Sequence, residues 1–556
     1  MNLRLRRKSA ENLTRRDFLI RGGCGAMSLT TVVNTIAQLK LMQGALNAQG
    51  GAPGYKALVC VFLAGGNDSN NLLIPFSGTA RNDYNSGRGV LAIPTTGANP
   101  LTNLTNTQLA TVPSEVTAAD PIGGYLGTFA VHPQCGAIRD MFNADELAFV
   151  ANVGTLVQPG ITRANYATSP KPPQLFSHSD QVTQWQSSVP DQPFTSGWGG
   201  RIADLLDPVH NASSTASMSI SISGVNSFQV SPTGLVTPYV MRSSGVVGLS
   251  GYNGGSPSTT YGGAVTNSSV LFQDSNYLTS ERGRRLRAFE QILNMSNNSL
   301  LENAYTGVVH SARVTEGVVG AALAPTVDGT GTTLDVHFDN AFAGAEAGIA
   351  VNNDFTNQMK LVARLIAGRS SLGNNRQIFF VQLGGFDTHT TQIPQAGNVY
   401  ATGHTGLMNV LNRTLQAFRD SLQALGVWNN VVTCTSSDFT RTFTANKTDS
   451  SAGSDHAWGG HTMVMGGPVL GGRIYGKYPP LKLGAVASSI DSTGSSGRWI
   501  PSTSVDQYAA VLARWLGVDA ANLPAIFPNL TRFNAAPFTQ ILQPNQTPNL
   551  GFLNLA

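Results

Sequence analysis

Residues 56–68 read Lys-Ala-Leu-Val-Cys-Val-Phe-Leu-Ala-Gly-Gly-Asn-Asp, a β-prone apolar run from Lys56 to Ala64 that stops abruptly at Gly65-Gly66-Asn67-Asp68. A strand that is apolar at consecutive positions is buried on both faces, which is the condition of a parallel sheet covered by helices on each side. The same device returns twice. Gln377 to Leu383 stops at Gly384-Gly385-Phe386-Asp387-Thr388-His389, and Asn430 to Thr435 runs into Ser436-Ser437-Asp438-Phe439-Thr440-Arg441-Thr442. In open parallel sheets ligands bind beyond the carboxyl ends of the strands, where turns distant in sequence meet. A lone turn aspartate usually bonds its own backbone. Three in the same grammar predict an α/β, doubly wound, mostly parallel sheet with Asp68, Asp387 and Asp438 gathered at one edge to hold a cation.

Histidines reinforce that expectation. His389 lies two residues after Asp387, so an extended segment turns both side chains the same way. Ser454-Asp455-His456-Ala457-Trp458-Gly459-Gly460-His461 places two histidines around a flexible Gly-Gly, at a spacing that is not a helical face. His456 and His461 are therefore candidate ligands from a loop folding back over the site. Mixed carboxylate and imidazole donors suit Zn²⁺, Mn²⁺ or Fe, with Mg²⁺ or Ca²⁺ at a carboxylate-rich position. Leu175 to Trp185 (LFSHSDQVTQW), after Pro170, Pro172 and Pro173, reads as a loop entering a helix with Ser177 or Ser179 as N-cap. Ser177 is the candidate nucleophile there, because a helix N-terminus favours developing negative charge. His178 and Asp180 stand as additional candidate ligands.

The chain has 556 residues, 35 Lys+Arg against 31 Asp+Glu, and only 12% charged residues with 60 glycines. Eight of the bases and two of the acids fall within residues 1–48, so the remainder carries 27 bases and 29 acids, about −2. No basic cluster lies beyond the first turns, which excludes a nucleic-acid grip. The first segment holds Thr14-Arg15-Arg16-Asp17-Phe18-Leu19-Ile20 and then a weakly apolar run from Gly22 to Ala37. That is the layout of a twin-arginine export signal, too short and polar for a stable membrane span. Ala48 is the candidate cleavage point. Export by the twin-arginine translocase places the mature protein in the periplasm or at the cell exterior. Cys24 falls in the leader, leaving Cys60, Cys135 and Cys434 for at most one disulfide; Cys60 and Cys434 read as buried thiols.

Taken in order, the twin-arginine leader, LAGGNDSNN, LFSHSDQ, GWGGRIADLL, LGGFDTH, SSDFTRT, SDHAWGGH and PSTSVDQYAAVLARWLGV resemble the DUF1501 family of exported bacterial proteins, grouped with the alkaline phosphatase and sulfatase superfamily. The resemblance implies an alkaline phosphatase-like sheet with two metals at its carboxyl edge, hydrolysing phosphate or sulfate esters. It implies Asp68 as the first-strand ligand, Asp387 with His389 as an Asp-x-His pair, Asp438 as the third-strand carboxylate, and His456 or His461 closing the site. Where the family carries Glu-Phe-Gly-Arg, this chain has Asp438-Phe439-Thr440-Arg441, a shorter ligand.

The expected organisation is a signal at 1–48, an α/β core at 55–209 and 346–535, an insert of loops, short strands and a helix at 210–345, and a tail at 536–556. In the insert, Glu281 to Leu301 reads as an amphipathic helix. The leading functional expectation is a metal-dependent hydrolase of a small-molecule or polysaccharide ester. Two cations roughly 4 Å apart would activate Ser177 or a water, with Arg441 or Arg201 on an oxyanion. The alternative is a non-catalytic envelope or surface protein that keeps the fold, binding glycans through exposed aromatics such as Trp185, Trp198 and Trp458.

Overall fold

The computed structural model describes residues 54–110, 128–214, 216–246, 288, 318–320, 322–323, 327–394, 399–486, 488–533 and 550–555. The expected leader with Ala48, nearly all of the Glu281 to Leu301 helix and most of the tail lie outside them. Among the described residues no helix is long and apolar enough to cross a membrane.

The principal elements are β1 (Lys56–Leu63), β2 (Leu73–Pro75), α1 (Gly78–Arg88), β3 (Phe129–Val131), α2 (Gly136–Asn143), β4 (Leu147–Gly154), α3 (His178–Ser187), α4 (Trp198–His210), β5 (Ser219–Ser221), β6 (Tyr239–Val240), α5 (Asp335–Phe342), α6 (Asp354–Ala367), β7 (Arg376–Leu383), α7 (Gly403–Ala424), β8 (Val431–Ser437), β9 (Gly460–Met465), β10 (Ile474–Gly476), β11 (Thr503–Ser504) and α8 (Val505–Leu516). The main sheet has the order β10-β4-β9-β8-β1-β7-β5-β6, with β11 also on β4. Its pairs are parallel except those of β9, which runs against both β8 and β4. β2 and β3 form a separate antiparallel ribbon.

The double winding follows from the pleat. Along β1, Ala57, Val59, Val61 and Leu63 point into one apolar cluster with Met359 and Val362 of α6 and Leu411, Leu415 and Phe418 of α7. Leu58, Cys60 and Phe62 point into the other, with Ile202 and Leu205 of α4 and Val511, Leu512 and Trp515 of α8. Each such side chain taken from water stabilises the fold by roughly 1.5–3 kcal/mol, so the strand is driven to the centre from both sides. The covering helices start at strong caps. Asn353 accepts from Thr356 N ahead of α6, and Ser504 and Gln507 form a capping box on α8. β5 and β6, from the stretch expected to be an insert, extend the main sheet beyond β7.

The register places the functional edge. Leu63 of β1 pairs with Leu383 of β7 and with Ser437 of β8, so the three turns that follow emerge side by side. Their closeness demands glycine: at Gly65, φ +111°, a Cβ would sit 2.5 Å from Asp387 N, and at Gly66, φ +81°, 2.5 Å from the Phe439 ring. Cys60 and Cys434 are register partners with Sγ atoms 3.6 Å apart, free and buried.

The tryptophans are not the exposed aromatics expected from sequence. Trp185, Trp198 and Trp458 are all buried. Trp198 packs on Phe228 at 4.4 Å, and Trp458 Nε1 donates to Thr155 O at 2.8 Å. Their area completes the core, so they present no open glycan platform.

Candidate metal centre

Asp387, four residues past the end of β7, is the hub of the edge. Its Oδ1 lies 3.4 Å from His178 Nε2, 3.1 Å from His389 Nε2 and 3.2 Å from His456 Nε2. His389 Nε2 and His456 Nε2 are 2.9 Å apart. The ligand atoms of His178, Asp387 and His456 all fall within 4.8 Å of one another. Three remote segments supply this group: the first turn of α3, the loop after β7, and the loop between β8 and β9, which carries Arg441 near its β8 end.

The far side of each ring is anchored. His178 Nδ1 meets Asp438 Oδ2 at 2.6 Å, His389 Nδ1 meets Asp455 Oδ1 at 3.0 Å, and His456 Nδ1 meets the Phe176 carbonyl at 2.7 Å. All three partners are acceptors, so each Nδ1 carries the hydrogen and a neutral ring presents Nε2 as a lone pair. Three lone pairs thus face one carboxylate oxygen. The donor among them is Arg441 Nη1, 2.6 Å from Asp387 Oδ1. His178 Nε2 is buried without a hydrogen-bond partner. A donor set of this kind, with one orphaned nitrogen and outer partners on every imidazole, fits a divalent cation. Asp387 and His389 are 47% and 42% exposed at their side chains, so the group faces solvent and is reachable.

The electrostatics agree with the geometry. The hydrogen bond to Asp438 raises the His178 pKa against the opposing effect of burial, and the charges of Asp438 and Asp387 add to it. Burial works against ionised Asp387, but the hydrogen bond and charge of Arg441, then His389 and His178, outweigh it and lower its pKa. Burial lowers His456, partly offset by the Phe176 carbonyl and assisted by Arg441 and His178.

Without metal, raised His178 contributes stability that is full below its unfolded value near 6.5 and lost as pH rises through its folded value. Lowered Asp387 contributes above its unfolded value near 3.8, and that contribution is lost as pH falls. The proton on His178 competes with a cation. Metal affinity is therefore expected to fall as pH drops through the raised His178 pKa, read by chelator-dye competition across the imidazole titration range. An affinity independent of pH over that range would contradict the assignment of His178.

The other residues expected from sequence sit elsewhere. Asp68 is fully buried and its Oδ2 accepts from Arg88 and Gln392, while its Oδ1 is buried without a hydrogen-bond partner. Asp438 stands one shell back, with Oδ1 accepting from Gly65 N at 3.0 Å and Oδ2 holding His178. His461 lies outside the cluster because β9 begins at Gly460 and carries it into the sheet. Its Nδ1 accepts from Asn152 N at 3.2 Å, its ring stacks on Tyr478 at 4.7 Å, and burial pushes its pKa down to about 3. Ser177 is the N-cap of α3, yet its hydroxyl donates to Asp180 Oδ2 at 2.6 Å. Arg441 is buried and committed to Gly65 O, Ser454 O and Asp387, and Arg201 to Ile526 O, Ser196 O and Ser187 O. Neither guanidinium is free to hold an oxyanion. Asp455 joins the site without having been singled out, although it adjoins His456 in the same loop motif.

Residues 250–493 match the family model DUF1501. The family is described only as a protein of unknown function. The DUF1501 match takes in Asp387, His389, Asp438, Arg441, Asp455 and His456 and does not reach His178. No curated protein matches the chain. Among solved structures, similarity is found to Ps i-CgsB in complex with k-i-k-neocarrahexaose, at 10% identity over 86% of this chain and 77% of that one, TM-score 0.27. It is also found to the PsFucS1 sulfatase from Pseudoalteromonas sp., at 9% identity over 80% and 69%, TM-score 0.28. Neither overlap is close enough to place a residue of this chain on a residue of theirs.

Proposed function

We propose that this chain is an exported, metal-dependent hydrolase of a phosphate or sulfate ester, with its cation held by His178, His389, His456 and Asp387. The observation that carries the reading is the convergence of three Nδ1-anchored imidazoles, Nε2 inward, on the Asp387 carboxylate. The ester class rests on the motif resemblance to DUF1501 and its superfamily, and export on the leader sequence. An imidazole-rich donor set favours Zn²⁺ or a similar transition ion over Mg²⁺ or Ca²⁺, which prefer oxygen. One ion accounts for the group of His178, Asp387, His389 and His456, since Asp68 Oδ2 is paired with Arg88, His461 lies in β9 and Asp438 serves His178. When bound, the cation supplies Lewis-acid polarisation of the ester.

The protein groups divide the remaining work. Asp438, Asp455 and the Phe176 carbonyl fix the tautomer and aim of the three rings. Arg441 fixes the Asp387 carboxylate and offsets its charge. Ser177, one residue before His178, is the candidate nucleophile. Asp180 Oδ2, which already accepts its hydrogen bond, is the base that takes its proton. The test is metal content of the purified protein together with turnover of aryl phosphate and aryl sulfate, before and after chelation. Absence of a stoichiometric transition metal would sink the proposal. Metal without turnover of either ester would favour the non-catalytic surface protein, which the commitment of Arg441 and Arg201 to internal carbonyls also favours.

Asp438→Asn tests the outer partners. An asparagine keeps the acceptor for Gly65 N but turns an amide donor toward His178 Nδ1, which drives the hydrogen to Nε2. Metal affinity is expected to fall about 10–100-fold with little change in fold. Unchanged affinity by calorimetric titration would remove Asp438 from this role.

A further inference from the structure

Phe176 holds a backbone conformation that its side chain disfavours. Its φ is +76°, in the left-handed region that a bulky residue enters only under strain, and Gln174 stands at +51° two residues earlier. Such a conformation persists where surrounding groups enforce it, and it is found at clamps and active sites. The segment is tied on both flanks: Gln184 Nε2 of α3 donates to the Pro173 carbonyl at 2.8 Å, and Ser177 N to the Gln174 carbonyl at 3.1 Å. The strained residue is also the one whose carbonyl accepts from His456 Nδ1 at 2.7 Å.

A guanidinium grips the ring of that residue. Arg498 Cζ lies 4.2 Å from the Phe176 ring centroid, within cation–π range, while Arg498 Nε is buried without a hydrogen-bond partner. The ring also packs on the apolar cluster of Leu156, Trp458 and Ile500. Arg498 itself comes from a fastened loop. Its N–H donates to Asp491 Oδ1 at 3.2 Å, its carbonyl accepts from Ser492 N and Ser492 Oγ at 3.0 Å each, and Asp491 pairs with Trp499 across the base.

We propose that Arg498 is a positioning residue of the metal centre: its guanidinium clamps the Phe176 ring, the clamp keeps Phe176 left-handed, and that conformation aims the Phe176 carbonyl at His456 Nδ1 so that Nε2 faces Asp387. The contacts run without a break from Arg498 through Phe176 and His456 to Asp387. They also account for an aromatic residue at a φ that suits glycine, because the ring supplies a grip that glycine lacks. The inference rests on the metal reading of the Asp387 group, whereas the clamp itself needs no metal.

Two measurements on the full chain test it: Zn²⁺ affinity by calorimetry, and NMR of the histidine ring nitrogens in chelator-treated protein at a pH where imidazoles are neutral. Arg498→Met keeps an apolar stem and removes the cation. It is expected to weaken Zn²⁺ binding about tenfold and to turn His456 from the Nδ1–H form into a mixture of tautomers, with His389 unchanged. Arg498→Lys should restore most of the native tautomer. Phe176→Ala should match Arg498→Met, and the double variant should lose no more than either alone, because both break one contact. Should Arg498→Met fail to fold, Phe176→Gly, which adopts the same φ without strain but has no ring, must still show the mixed tautomers. A native His456 tautomer in Arg498→Met or Phe176→Gly, equal behaviour of the Lys and Met variants, or additive losses in the double variant would each overturn the clamp. Absence of Zn²⁺ binding by the native protein would instead defeat the metal reading, and the tautomer of His456 in the metal-free variants would still decide the role of Arg498.

Discussion

Asp387→Ala is expected to lower affinity for a transition metal by more than about 100-fold and to take any ester turnover with it. The magnitude exceeds what loss of an outer partner gives, because Asp387 Oδ1 is the atom that all three Nε2 atoms face. The metal-free protein is expected to remain folded. Its carboxylate is 47% exposed, so its ion pair with Arg441 is screened and contributes at most about 1 kcal/mol. Arg441 also keeps the Gly65 and Ser454 carbonyls as acceptors. Thermal unfolding after chelation should therefore coincide for variant and native protein within a few degrees, while their metal-loaded transitions diverge by the linkage of binding to folding. Equal metal affinity in the variant would dismantle the centre. A large loss of stability in the metal-free state would instead make Asp387 a structural partner of Arg441.

The framework was legible in the sequence wherever a physical period fixed it. Three continuous apolar runs became β1, β7 and β8, with limits within two residues of those expected, because burial on both faces leaves no other pattern. The Ser177 cap and the helices beginning near Asn353 and Asp506 were equally readable. The antiparallel insertion of β9 was not, and it decides the fate of His461. A Gly-Gly between two histidines says that the chain turns, but not that the second histidine enters a sheet. Which strand-end acid joins the histidine group also depends on partners far away in sequence. Asp68 is claimed by Arg88, twenty residues on and near no recognisable motif, and Asp438 is set one layer back by a short side chain that reaches the ring of His178. His178 stands at the centre of the Asp387 group because α3 starts against the β8 turn, a packing relation that local spacing does not carry. The expectation of exposed tryptophans failed for a related reason: Trp185 and Trp198 sit on helices that pack against the sheet, and Trp458 on a loop that folds over it, so all three seek the core.

Arg88→Met is the second large effect, and it acts on stability. Arg88 and Asp68 are both fully buried at their side chains, and Arg88 also donates to the carbonyls of Thr442 at 3.0 Å and Phe443 at 2.8 Å. Removing the guanidinium strands the Asp68 carboxylate in the core with only Gln392 to donate to it, a loss expected to cost about 3–5 kcal/mol. Because Gln392 also accepts from Ser454, and the Ser454 carbonyl accepts from Arg441, the disturbance can reach the metal centre through one hydrogen-bonded path. Asp68→Asn separates the roles: if Asp68 were a ligand, metal affinity would collapse as for Asp387→Ala, whereas a partner of Arg88 loses stability with metal affinity changed by less than about tenfold. The double variant Arg88→Met/Asp68→Leu removes both charges together and should regain most of the loss, since an apolar pair of similar volume incurs no desolvation penalty. Urea unfolding of the native protein, Arg88→Met, Asp68→Leu and the double variant measures the coupling. Strictly additive losses would mean that the buried pair does not anchor the strand-end turn, and that Asp68 must answer to some other group.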